Sequence, residues 1–354
     1  MRRPAVVTAL ALATAAAGAD TAAAAKPTTV ASGLRVPWGI DFLPGRGGDA
    51  LVAERTTGRI VRIARPGGRK RVVMRIPGVD TGAGEGGLLG LAVSPDYARD
   101  RLVYAYFTSA RDNRIVRFRL GGAIRPILTG LQRAENHNGG RLEFGRDGKL
   151  YASVGDASDS SLAQDGGSLN GKILRLNSDG SVPDDNPSKG SRIFSRGHRN
   201  VQGLAWDGSG RLYASEFGQN RYDEANIIEP GGNYGWPEVE GEGGNPNYID
   251  PISTWTTDEA SPSGVEILKG GAIPQWEGDF FMAALRGQRL YRLDLDDSGA
   301  VVGQEELLQG EAGRLRHVAQ APDGSLWILT SNRDGRGNPI LADDRILRLG
   351  PADA

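Results

Sequence analysis

Cysteine is absent from the 354 residues. Its absence excludes a disulfide framework, a lipid-bearing N-terminal Cys, thiolate metal sites and a C-x-x-C-H haem attachment. Stability must therefore come from a packed core, and the chain is long enough to build one. Histidine is nearly as scarce, with His137, His198 and His317 the only three. No two of them stand at metal-ligand spacing and no H-E-x-x-H occurs, which argues against zinc. No G-x-S-x-G marks a nucleophile elbow. No glycine-rich loop leads from a strand into a helix, so neither a nucleotide nor a nicotinamide cofactor is expected. Lys plus Arg (42) nearly balance Asp plus Glu (43), for a formal charge of −1. That is too little for a global field drawing nucleic acid or a membrane surface, so charge-based recognition must be local.

Long apolar runs are also missing, save one at the start. Arg2-Arg3, an apolar stretch over residues 5–18 and Ala23-Ala24-Ala25 ahead of Lys26-Pro27 read as a secretory signal cleaved near Ala25. The stretch is too short to span a bilayer as a helix. Pro4-Ala5 continues a twin-arginine motif poorly, which favours the general secretory route. The expectation is a single domain over residues 26–354, secreted or periplasmic, with no membrane span.

Glycine (52) and proline (19) are abundant, and between them lie short runs of Val, Ile, Leu and Tyr. Many turns joining many short strands fit this pattern, and no convincing helical period follows residue 25. One unit recurs: a Pro/Asp/Gly turn, then a short strand. It is seen at Phe42-Leu43-Pro44 before Ala50-Leu51-Val52, at Ser94-Pro95-Asp96 before Leu102-Val103-Tyr104 and at Arg146-Asp147-Gly148 before Leu150-Tyr151-Ala152. It returns at Asp207-Gly208, at Glu277-Gly278 and at Pro322-Asp323-Gly324. Most units continue into a strand alternating basic with apolar residues, such as Arg59-Ile60-Val61-Arg62-Ile63 or Arg345-Ile346-Leu347-Arg348-Leu349. That alternation suits a half-exposed outer strand. Six units, about 50 to 70 residues apart, predict an all-β, six-bladed β-propeller of four-stranded antiparallel blades; the competing reading is a pair of β-sandwiches. A propeller gathers loops from distant parts of the chain around one axis.

Residues 195–237 combine His198-Arg199-Asn200, the acidic pair Asp223-Glu224 and the turn Gly231-Gly232-Asn233-Tyr234-Gly235. Such polar groups at strand edges are not what core packing selects. His137 stands between Asn136 and Asn138 ahead of Gly139-Gly140, in a loop that leaves its ring accessible. An accessible imidazole can act as a general base, or simply hold a turn through its hydrogen bonds. His198 and His317 read as structural. Asp223, Glu224 and Tyr234, with the backbone of residues 216–219, offer hard oxygen ligands suited to calcium, or form a solvated acidic turn. Arg199, Arg286, Arg314 and Arg316 come from different units, and a propeller can bring them to one axial site. Guanidiniums gathered in this way repel unless a polyanion, best a carboxylate, joins them.

Several ordered motifs resemble one family. They are Gly84-Glu85-Gly86-Gly87-Leu88-Leu89-Gly90, His137-Asn138-Gly139-Gly140-Arg141-Leu142, Gly155-Asp156, Gly171-Lys172-Ile173-Leu174-Arg175, Gly197-His198-Arg199-Asn200-Val201-Gln202 and Gly231-Gly232-Asn233-Tyr234-Gly235-Trp236-Pro237. Together they resemble the soluble quinoprotein glucose/aldose sugar dehydrogenases that use pyrroloquinoline quinone (PQQ), over nearly the whole mature chain. The resemblance implies a six-bladed propeller that oxidises aldoses at the anomeric carbon to lactones and passes electrons to an external acceptor. It assigns proton abstraction to His137 and charge stabilisation at the quinone to Arg199 with Asn200. It places Glu85, Arg286, Arg314 and Arg316 at the cofactor, with Tyr248 and Trp255 as aromatic neighbours. Calcium would be held at Gly218 and Gln219 beside the quinone, and at Glu224 and Tyr234 as a structural ion. Well-known members have Gln where this chain has Glu85, an acid that must be protonated or paired beside a tricarboxylate. Two other readings are a non-catalytic, calcium-stabilised propeller binding carbohydrate or protein, as in the Hedgehog-interacting relatives, and a calcium-dependent lactonase.

Overall fold

A computed structural model describes residues 26–351 apart from Arg46, Gly47 and Pro66. The expected signal segment lies outside the described residues. Six four-stranded antiparallel sheets are arranged as the blades of a propeller. Their inner strands are Pro37–Phe42, Leu88–Val93, Leu142–Phe144, Val201–Trp206, Pro262–Ile267 and Leu315–Gln320, blades 1 to 6 in chain order. Each packs against the next, and the sixth packs against the first. Blade 6 takes its outermost strand, Thr28–Ala31, from the other end of the chain, where it pairs with Ile346–Leu349.

Around the axis the inner strands come so close that only glycine fits in places. A Cβ on Gly90 would stand 2.2 Å from the Gly140 carbonyl oxygen, and one on Gly264 would stand 2.1 Å from the His317 ring. Farther out, the space between blades is filled. Six clusters of buried apolar residues each straddle a pair of neighbouring blades, for example Leu51, Ile60, Leu91, Val103 and Phe118 between blades 1 and 2. Each large apolar side chain so buried contributes about 1.5–3 kcal/mol, so the ring is stabilised blade against blade rather than around one central core.

The alternating basic strands are the third of each blade, not the outer edge. Lys172–Leu176 is buried at every position. A turn aspartate on the preceding connection makes this possible by neutralising the strand's arginine: Arg62 meets Asp49 at 2.6 Å, Arg175 meets Asp147 at 2.8 Å and Arg292 meets Asp279 at 2.5 Å. The true edges, such as Lys70–Arg75 and Val301–Leu307, are more exposed.

At the far end of the inner strands, acids alternate with alanines around the ring. Asp41, Glu143 and Glu266 of blades 1, 3 and 5 occupy the same register position as Ala92, Ala205 and Ala319 of blades 2, 4 and 6. Asp41 accepts the backbone N–H of Val93 at 2.6 Å, and Glu266 that of Gln320 at 2.8 Å, so each clasps its blade to the next. Glu143 accepts no hydrogen bond from a described residue. The three line a second axial cavity of about 190 Å³ with Lys269 and His317.

Candidate active site: an arginine-lined axial cavity

The opposite end of the axis holds a cavity of about 560 Å³, a size that suits a small ligand. Its walls are the starts of inner strands, the ends of second strands and the loops that adjoin them: Trp38, Arg55, Glu85, Asn138, Gln202, Phe217, Arg286, Arg314, Arg316, Asp334 and Arg336. Below it the channel is filled. Buried Arg141 lies over the Trp38 ring at 4.3 Å, donates to the Gln202 carbonyl at 2.8 Å and reaches the His317 ring at 2.9 Å. Burial and the adjacent arginines push the His317 pKa far down, so this ring is a neutral acceptor within the plug.

Of the cavity's arginines, three have carboxylate partners. Arg314 pairs with Asp334 at 3.0 Å, Arg336 with Glu85 at 2.7 Å and the half-exposed Arg286 with Asp258 at 2.6 Å. Arg55 and Arg316 have none among the described residues, nor does Arg199, which borders the cavity across Phe217. The Nε of each of these three is buried without a hydrogen-bond partner. Burial, and then repulsion by Arg55, push the Arg316 pKa down to about 9; burial lowers those of Arg55 and Arg199. Three guanidiniums desolvated without a counter-charge are costly alone and are satisfied by carboxylates.

Glu85 is paired rather than protonated. Burial works against its ionisation, but the Arg336 guanidinium holds its carboxyl below the usual value. Its second oxygen accepts the His137 backbone N–H at 3.3 Å. His137 sits beside the cavity at φ 56°, in the left-handed region, and its Nδ1 meets Asp156 Oδ1 at 2.8 Å. Asp156 is buried and also accepts from Ser158 N–H at 2.8 Å and Trp236 Nε1 at 2.9 Å. An acceptor-only carboxylate at Nδ1 puts the ring proton there. Nε2 is left as the free lone pair, with no partner among the described residues. Asn200 stands behind the wall: its Oδ1 takes Gly139 N–H and Gln202 Nε2, both at 3.1 Å, and Gln202 Oε1 meets Arg316 at 3.3 Å.

His198 is structural as expected, buried between Glu216 (2.9 Å) and Ser195 (2.8 Å) and stacked on Tyr234. Next to it a cavity of about 10 Å³, the room of a single water or ion, is lined by Glu216, Gly218, Glu224, Tyr234 and Glu240. Burial and the Glu216 carboxylate push Glu224 up to about 7, and Asn226, which donates to Glu224, keeps a buried Oδ1 with no donor. The Tyr234 hydroxyl is committed to Ile227 and Glu229 of the same blade, so only its carbonyl is available to an ion. The Gly218 and Gln219 carbonyls accept no hydrogen bond from described residues; their N–H groups go to Asp223 and Glu240. Among the described residues, no three His, Asp or Glu side chains form a metal cluster. Carbonyls would have to complete any calcium shell.

Tyr248 and Trp255 are not brought to the cavity. The Tyr248 ring lies against Gly235, and Trp255, on the outermost strand of blade 4, is buried against Tyr291 and donates to Gln304 at 3.1 Å. Their aromatic surface serves packing. Missed from the sequence were Arg55, Asp334 and Arg336, along with the partner roles of Asp156 and Gln202. Asp156 and Gln202 stood within motifs; Arg55, directly after a predicted strand, carried no signal of its own.

Solved structures share this architecture. The PQQ-bound aldose sugar dehydrogenase of Streptomyces coelicolor is 51% identical, with a TM-score of 0.85 over 91% of this chain and 96% of that one. The aldose sugar dehydrogenase YliI of Escherichia coli K12 is 30% identical over 84% of this chain and 88% of its own length. The quinoprotein glucose dehydrogenase B of Acinetobacter calcoaceticus is 29% identical over 83% and 82%. Residues 34–346 match the glucose/sorbosone dehydrogenase model, and the chain belongs to that family.

Proposed function

We propose that the protein is a PQQ- and calcium-dependent aldose dehydrogenase, exported from the cytoplasm, that delivers its electrons to an external acceptor. The observation that carries this reading is the set of guanidiniums of Arg55, Arg199 and Arg316, each with a buried unbonded Nε and no carboxylate partner among the described residues, around a cavity beside the His137–Asp156 pair. When bound, PQQ supplies three carboxylates and the acceptor for the hydride that leaves the sugar's anomeric carbon. Arg314, Arg316 and Arg286 suit its carboxylates, and Arg199 suits negative charge developing on a carbonyl oxygen. Gln202 holds Arg316 in place, and Asn200 fixes the loop that follows His137. Calcium suits the carbonyls of Gly218 and Gln219 and, as a structural ion, the small cavity lined by the buried acids Glu216 and Glu224 and by Tyr234.

His137 Nε2 takes the proton of the anomeric hydroxyl, while Asp156 keeps Nδ1 protonated and stabilises the imidazolium that forms. The plug of Trp38, Arg141 and His317 closes the channel below, so substrate enters from the loop face. Purified apoprotein loaded with PQQ and calcium should reduce an artificial dye with aldoses; no reduction across a broad aldose panel defeats the reading. His137→Ala should bind PQQ normally yet lose turnover by ~10²-fold or more, and retained turnover removes His137 from the chemistry.

A further inference from the structure

We propose that Arg55 is a carboxylate-binding residue of the axial cavity, a site that completes the cofactor-binding reading above and rests on it. Arg55 follows the second strand of blade 1, where its N–H donates to Val36 and its carbonyl accepts from Leu88 at 3.1 Å. The backbone is thus fixed from both sides, against blades 1 and 2. Gly87, at φ 130°, makes room for the side chain: a Cβ there would stand 2.4 Å from the Arg55 carbonyl oxygen and 2.8 Å from its Cγ. The residue is 6% exposed, lines the cavity and makes no side-chain hydrogen bond or ion pair to a described residue.

The acids that share the cavity wall with Arg55 are already engaged elsewhere, Asp334 by Arg314 and Glu85 by Arg336. Arg316 is close enough to repel it. A buried cation facing two arginine-bound acids and a second unpaired cation has no structural partner to hold. Its fork geometry matches a carboxylate arriving in the cavity. That carboxylate can belong to the cofactor or to an acidic sugar, and the chemistry recognised is the same.

The test compares wild type, Arg55→Met and Arg55→Lys as apoprotein and with ligands. Replacing an unpaired buried charge by an apolar side chain of similar length is neutral or stabilising, so the Arg55→Met apoprotein should melt no lower than wild type. Its Kd for PQQ, followed by the quinone's absorbance, should rise at least tenfold, with partial recovery in Arg55→Lys. An unchanged PQQ Kd with a tenfold higher KM for glucuronate but not for glucose assigns the carboxylate to the substrate and upholds the site. A lower apoprotein Tm makes Arg55 structural and overturns the proposal, as do unchanged values for both ligands. Should wild type bind no PQQ, the cofactor reading fails by itself. A thermal shift by citrate that disappears in Arg55→Met then still upholds the anion site, and citrate behaviour shared by the two proteins refutes it.

Discussion

Replacing Asp156 by Asn tests the catalytic geometry most directly. Three donors converge on the buried Asp156 carboxylate: His137 Nδ1 and Ser158 N–H at Oδ1, and Trp236 Nε1 at Oδ2. An amide has one acceptor oxygen and one NH₂, so it cannot satisfy both sides. With its oxygen kept toward His137, the NH₂ faces the Trp236 N–H, and a buried donor is left unpaired at a cost of about 1–3 kcal/mol in stability. With the amide turned, the NH₂ faces His137, forces the proton onto Nε2 and removes the base. The matching Asp-to-Asn change in a serine protease triad lowers kcat by about 10⁴ through the wrong tautomer. An expected loss of ~10²- to 10⁴-fold in kcat brackets the two orientations. Steady-state dye reduction with PQQ-loaded enzyme measures it, alongside a PQQ titration expected to stay within about threefold of wild type because Asp156 does not line the cavity. A kcat within threefold of wild type would refute the assignment of Asp156 as the residue that sets the His137 tautomer.

Glu85→Gln removes one negative charge from the cavity wall and frees Arg336, so PQQ should bind several-fold more tightly. Both side chains of the lost pair are partly exposed (29% and 61%), so melting should shift by less than ~1 kcal/mol; weaker PQQ binding would show that Glu85 itself helps to hold the ligand. At the other end of the axis, burial and the Asp41 carboxylate raise the Glu143 pKa well above 4.5, burial raises Asp41 to about 6, and burial raises Glu266 as well. Lys269, Arg141 and the neutral His317 are the other titratable groups facing this cluster. Acids whose folded pKa exceeds the unfolded value stabilise the fold below about pH 4 and lose that contribution as pH rises through the folded pKa. Each contributes a slope of at most ~1.4 kcal/mol per pH unit. Glu143→Gln should therefore flatten the decline in urea-unfolding free energy above pH 4.5, and superimposable wild-type and variant pH profiles would contradict the Glu143 assignment.

Blade number was legible because turn residues such as Asp147-Gly148 and Asp323-Gly324 must recur wherever a blade's inner strand turns into its second. The order within a blade was not. Basic alternation in Lys172–Leu176 looks solvent-facing in sequence, and only the fold reveals that Asp147 and Asp185 meet Arg175. Edge strands such as Ser253–Thr256 carry no pattern because little of their surface selects one. Of the site, the motif-bearing residues Glu85, Arg314 and Arg316 could be placed by resemblance. Arg55 and Arg336 could not, since an arginine just after a strand or within a loop is usually a surface residue and only the ring closure brings these two to the cavity. Trp255 misled for the opposite reason, its indole being drawn to Tyr291 by packing rather than to a ligand.

The pairing of Thr28 with Arg348 joins positions nearly the whole described chain apart. A chain emerging N-terminus first, whether from a ribosome or through a translocation pore, presents residues 28–31 as an unpaired strand until residues 346–349 arrive. Blade 6 must therefore be the last to complete, and this seam carries the largest loop-closure entropy in the molecule. Until then an open edge is free to pair with another chain, so aggregation of the emerging chain competes with one late, long-range event. The same seam places both ends of the described chain on one blade. A domain fused at either end would therefore stand beside blade 6 at the acid-lined end of the axis, opposite the Arg336 rim of the cavity.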